Sequence, residues 1–130
     1  MTINESALGT NHPSVAAVYS SVGILFEKRN MHEEALEQHH EALKIRQNAF
    51  GNDHVKTALS HKLIGISLRK SGELDRAMEE LEKARVILTT RLGRNHRDTR
   101  DCLGKIESVR RLIKDCELTR GELRDHGQLA

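Results

Sequence analysis

Eight histidines in 130 residues are the side chains here best suited to chemistry near neutral pH, as proton carriers or metal ligands. His32, His39 and His40 lie in one short stretch, and imidazoles on successive helical turns can hold zinc. A zinc-peptidase helix needs a second histidine four residues after the first, yet His32-Glu33-Glu34-Ala35-Leu36 has leucine there, and no third ligand accompanies it. No metal site is expected. His12, His54 and His96 instead return with a phrase: LGTNHPSV from Leu8, FGNDHVKT from Phe50 and LGRNHRDT from Leu92, each 42 residues after the last. Histidines that recur with their loop point to helix entry and loop packing rather than ligation. His61 stands where Tyr19 stands one period earlier and reads as a packed ring. No glycine-rich phosphate loop, nucleophile elbow or Ser/His/Asp ordering appears, so neither an enzyme nor a cofactor is expected.

The two cysteines, Cys102 and Cys116, fall in the last predicted helix, where 14 residues of rise separate them by roughly 21 Å. They cannot bridge within that helix and read as small buried apolar residues. A net charge of +2 hides near balance, with 21 basic against 19 acidic side chains, so there is no general attraction to nucleic acid or an anionic membrane. Nucleic-acid binding would also want stacking aromatics, and only Tyr19, Phe26 and Phe50 are aromatic. No apolar run approaches the roughly 20 residues of a spanning helix, and MTINESALGT lacks the charged and apolar regions of a secretory signal. These features lead to the expectation of a cytoplasmic chain in which the sequon Asn4-Glu5-Ser6 stays idle.

The elements between the histidine loops are helical. Val15, Val18, Tyr19, Val22 and Phe26 advance by threes and fours, predicting a helix that starts near Pro13, is capped by Asn11 or Ser14, and ends near Asn30. Asn30 aligns with Gly72 one period later, and both residue types tolerate the left-handed conformation that closes a helix. A second helix is predicted over residues 31–49, with Ala35, Leu36, Ala42, Leu43 and Phe50 on its buried side. A third spans residues 55–70. The fourth carries Leu74, Ala77, Met78, Leu81, Ala84 and Leu88 as one apolar stripe. The fifth presents Cys102, Ile106, Val109, Ile113 and Cys116, but Lys114 replaces the turn residue, so the hairpin pattern stops there. Small residues return in register, Gly23 with Gly65 and Ala35 and Ala42 with Ala77 and Ala84, where two helices must approach closely.

This spacing of small residues resembles the tetratricopeptide repeat (TPR). The longer period and the Leu-Gly-x-Asn-His-Pro loop are similar to the kinesin light chain type, mainly over LGTNHPSVAAVYSSVGILF and EEALEQHHEALKIRQNAFGNDH. The family's paired asparagines are replaced by Ser20 and Ser21, then by Lys62 and Leu63. The resemblance implies an all-α fold of antiparallel helix hairpins in a right-handed superhelix, with two full 42-residue repeats and a C-terminal capping helix. Residues 1–7 are then an N-terminal tail, residues 8–116 the repeat domain (8–49, 50–91 and a partial 92–116), and residues 117–130 a tail or helix extension.

The family fold places the first helix of each pair on a concave face, here Ala17, Ser20, Ile24, Glu27 and Lys28, then Leu59, Lys62, Ile66, Arg69 and Lys70, then Asp101, Gly104, Ser108 and Arg111. From this follows a non-catalytic adaptor or scaffold that binds protein or peptide segments, kinesin light chain-like in carrying cargo, with Ser20, Ile24, Lys28, Lys62, Ile66, Arg69 and Arg111 as partner-binding residues. Two isoleucines flanked by basic residues suit an apolar segment with acidic neighbours. The carboxylate clamp of chaperone-binding repeats needs Lys and Asn where this chain has Ser20 and Ile24, so chaperone-tail binding is not expected. The alternative is a structural or assembly module that docks onto further repeats or self-associates.

Overall fold

The computed structural model describes residues 12–129, with side chains through Thr119. Among the described residues five helices follow one another: α1 (Pro13–Lys28), α2 (His32–Phe50), α3 (Val55–Ser71), α4 (Leu74–Leu92) and α5 (Arg97–Leu129). The starts of α1, α3 and α5 are 42 residues apart, as are those of α2 and α4. The observed boundaries fall within a residue or two of those expected from the apolar spacing. Residues beyond Glu117 lengthen α5 rather than forming a separate element.

Each helix packs on the next, α1 on α2, α2 on α3, α3 on α4 and α4 on α5, and α3 also touches α5. The tight reversals are made as the Asn30/Gly72 register predicts. Asn30 has φ 61° and Gly72 φ 90°. The N–H of Met31 reaches back to the Phe26 carbonyl and that of Glu73 to the Leu68 carbonyl, both at 2.9 Å, which satisfies carbonyls a helix end would otherwise leave unpaired.

Helix entry differs from expectation. Asn11 lies outside the described residues, and Ser14 is the recipient of the cap rather than its source. Nδ1 of His12 accepts from the Ser14 N–H at 3.1 Å, Nδ1 of His54 from the Lys56 N–H at 3.0 Å, and Nδ1 of His96 from the Asp98 N–H at 3.1 Å. The recurring histidine is therefore the N-cap of every first helix. An accepting Nδ1 requires the neutral ring with its proton on Nε2.

Two apolar clusters hold the stack. The smaller joins α1 to α2 through Val15, Ala16, Ala42 and Ile45, with Tyr19 packed against it. The larger runs from Leu43 through Ile64, Leu68, Ala77, Leu81, Ala84 and Leu88 to Cys102, Ile106 and Val109. Phe50, expected inside, is exposed, and Val18 of the α1 apolar spacing is exposed as well. The Phe50 ring instead stacks on His54, with centroids 4.4 Å apart. Cys102 is buried as expected, but Cys116 is exposed.

The small residues act where helices cross. A Cβ on Gly65 would stand 2.7 Å from Leu81 Cγ, and one on Gly23 would stand 2.6 Å from the His39 ring. The same register in α5 is Glu107, an exposed residue paired with Arg110 at 3.9 Å, and no following helix packs there.

Candidate protein-binding surface

The first helices of successive pairs are tied side by side by polar contacts. Ser67 Oγ of α3 donates to Glu27 of α1. Lys62 Nζ of α3 donates to Asp101 of α5 at 2.9 Å, and Arg69 Nη1 donates to Ser108 Oγ at 3.1 Å. These bonds align α1, α3 and α5 along one side of the stack.

They also sort the residues expected on the concave face. Ser20 and Glu27 are buried at 7% exposure, and Ser20 Oγ has no hydrogen-bond partner. Ser20 is therefore not available at the open surface, a correction to its expected place. Lys62 is largely covered and engaged with Asp101. Arg69 is half-buried, with its Nε unpaired. Ile24, Lys28 and Arg111 are exposed, and Ile66 is half-buried. A shallow cleft of about 430 Å³ lies between α3 and α5, lined by Arg69, Gly104, Glu107, Ser108, Arg111 and Leu112. Ile24, Lys28 and Arg111 are thus left at the surface, while Lys62 and Arg69 tie α3 to α5.

Buried polar groups follow the same division. Burial alone would push the Glu27 carboxyl up, but contacts from His39 and Ser67 and the charge of Lys70 outweigh it and hold its pKa below the ordinary carboxylate value. His39 Nε2 lies 3.5 Å from Glu27, an ion-pair contact rather than a well-formed hydrogen bond, and neither ring nitrogen has a hydrogen-bond partner. The trio Glu27, His39 and Ser67 contains the residue types of a hydrolase triad in an order unsuited to that chemistry. Serine donates to the carboxylate instead of to histidine, and all three are buried. The His61 ring donates to Glu80 at 2.7 Å. Burial raises the Glu80 carboxyl, and His61 and Lys83 more than offset this, so its pKa is lowered. Lys62 lowers Asp101 by direct hydrogen bonding. Burial pushes the Cys102 thiol up to about 11, keeping it protonated and inert as a nucleophile.

Among the described residues no group of three or more His, Cys, Asp or Glu side chains is placed to hold a metal ion. No helix there is long and apolar enough to cross a membrane. Stacked helix pairs with function spread over a surface define a helical-repeat protein. A tetratricopeptide-repeat family model matches residues 31–89, from the start of the α2 pairing through most of α4. That segment forms a TPR-type repeat domain, a non-catalytic module for protein–protein interaction. No curated protein matches the chain.

Proposed function

We propose that the side formed by α1, α3 and α5 is the concave face of a right-handed superhelix made of two 42-residue repeats closed by α5. On this reading the chain is a cytoplasmic adaptor of kinesin light chain type that carries peptide segments of cargo proteins. The reading is supported by the exposure of Ile24, Lys28 and Arg111 and the partial exposure of Ile66 on these first helices, with Ile24 and Ile66 at one register of the 42-residue period. An apolar segment with acidic neighbours fits such a surface: the isoleucines take its side chains and the cations its carboxylates. Lys62 and Arg69 shape the floor through Asp101 and Ser108, and a ligand carboxylate competes for their remaining donors.

Binding energy in such a groove concentrates in few residues. In a pull-down from cell extract, Lys28→Glu with Arg111→Glu is expected to lower capture of acidic partners at least about tenfold, a difference near 1.4 kcal/mol. Both residues are exposed, so the fold should persist by circular dichroism. Equal capture by the double variant, with loss on Glu79→Lys of α4, would place the working surface on the opposite side.

A further inference from the structure

The three first helices share a register, and one of their faces is treated differently in α1. Ser60, Ile64 and Ser67 of α3 are fully buried, as are Cys102, Ile106 and Val109 of α5 to within 2%. The preceding pair supplies the cover in each case. Arg46 of α2 donates to Ser60 at 2.8 Å, and Glu27 of α1 accepts from Ser67. Cys102 Sγ meets the Leu81 carbonyl of α4 at 3.4 Å, and Thr99 donates to the Leu88 carbonyl. The corresponding residues of α1, 42 positions before those of α3, are Val18, Val22 and Leu25. Val18 is 37% and Leu25 59% exposed, and Val22 is half-buried. An apolar strip on α1 thus belongs to a series of interfaces in which each later member is covered by a helix.

The two covered members also state what kind of helix fits. In the first, a polar pair forms across the contact, Arg46 with Ser60. In the second, Leu88 holds the register of Arg46 and Cys102 that of Ser60, and both belong to the apolar cluster. Val18 offers no oxygen to a guanidinium, so α1 belongs to the second kind. We propose that Val18, Val22 and Leu25 dock an amphipathic helix of the α4 type, antiparallel to α1, with aliphatic residues at heptad spacing like Leu81 and Leu88 and an aliphatic side chain opposite Val18. This surface is separate from the groove carrying Ile24 and Ile66, and the inference stands without that reading.

The loop sequence permits a direct test, because Leu8-Gly-Thr-Asn-His repeats Leu92-Gly-Arg-Asn-His. Residues 74–91 joined to Leu8 carry a copy of α4 into α1 through the chain's own loop. The grafted chain should melt roughly 5 °C or more above a chain bearing a Gly/Ser leader of equal length. Amide exchange across Val18 to Leu25 should slow at least about tenfold. Replacing the graft's copy of Leu88 by Arg should cancel both effects, and adding Val18→Ser should restore them by rebuilding the Arg46–Ser60 pair. No shift on grafting, or an equal shift with the Leu→Arg graft, overturns the proposal. So does sedimentation of the ungrafted chain as a dimer that Val18→Ser with Leu25→Ser dissociates, because a second copy then covers the face.

Discussion

The first and second helix pairs have the same backbone plan and opposite interiors. In α3 and α4, Gly65 lies against Leu81, a contact of glycine with hydrocarbon. In α1 and α2, Gly23 lies against His39, and the polar ring brings Glu27 and Ser67 with it. A buried imidazole must be compensated, and a carboxylate brought in for that purpose must itself be compensated. Position 39 therefore dictates position 27 and reaches across to position 67 on the next helix. At its own crossing the second pair has no such chain of obligations, since Leu81 needs only volume, and its polar contact, His61 with Glu80, does not touch Gly65. The small residue sets how closely two helices approach, and the side chain opposite sets what else the interface must contain.

The largest effect should come from the crossing that depends on volume alone, Gly65 against Leu81. Leu81→Ala leaves a cavity in the larger apolar cluster and is expected to cost about 3–5 kcal/mol in urea denaturation. A loss below about 1 kcal/mol would mean that the second pair is not the apolar keystone of the stack.

The polar interior of the first pair can be tested by converting it to the chemistry of the second. Glu27→Leu alone strands His39 and Ser67 and should cost about 3 kcal/mol. Glu27→Leu combined with His39→Leu places leucine against Gly23, as in the second pair, and should return stability to within about 1 kcal/mol of the parent. The cycle formed by the two single variants and the double variant measures the coupling. Additive losses would show that the two side chains do not depend on one another.

Much of this was readable beforehand, because a period and its small residues encode local geometry. The returns at Asn30 and Gly72 and the five helices follow from residues that act within one turn of themselves. The misplacements share a different cause. Ser20 and Glu27 are expected on an open face and are buried, Glu27 against Ser67 of α3, since a position at the margin of that face is exposed or covered according to the rotation from one pair to the next. No repeat period states that rotation. Phe50 is expected on a buried side and is exposed, because apolar spacing marks a face without saying whether a neighbour covers it. Recurrence places the histidines at helix entry, but the capping contact itself is expected from Asn11 or Ser14, as the common capping side chains carry oxygen. The available signal was the recurrence of His12, His54 and His96 immediately before the first residue of each helix.

Acid should separate the two interiors further. The carboxyls of Glu27, Glu80 and Asp101 have folded-state pKa values below their ordinary values of 4.5, 4.5 and 3.8. The folded chain therefore binds fewer protons than the unfolded one. The stabilisation is complete above those ordinary values and disappears as pH falls through the lowered ones. Melting temperature should be flat with respect to these groups above about pH 5 and decline below about pH 4. The Glu27→Leu, His39→Leu double variant should show a shallower decline, since one of the three carboxyls is gone. An unchanged acid limb would remove Glu27 from the account.

The smallest effect concerns what the two pairs share, the histidine at each helix entry. His54→Ala leaves the Lys56 N–H without its acceptor and should cost about 1 kcal/mol, the usual value of an N-cap. Two further variants distinguish capping from packing. His54→Asp restores an acceptor at the same position and also favours the positive end of the α3 dipole, so it should recover most of the cap. It cannot recover the stacking of Phe50 on the imidazole, and the part of the loss that persists measures that contact. His12→Ala removes the same acceptor from Ser14 at the start of α1. Its cost should be smaller than that at His54, because α3 is packed against helices on both sides whereas the Val18 and Leu25 face of α1 is open. Equal losses at the two positions would mean that the cap acts on its own helix alone, without help from the stack it begins.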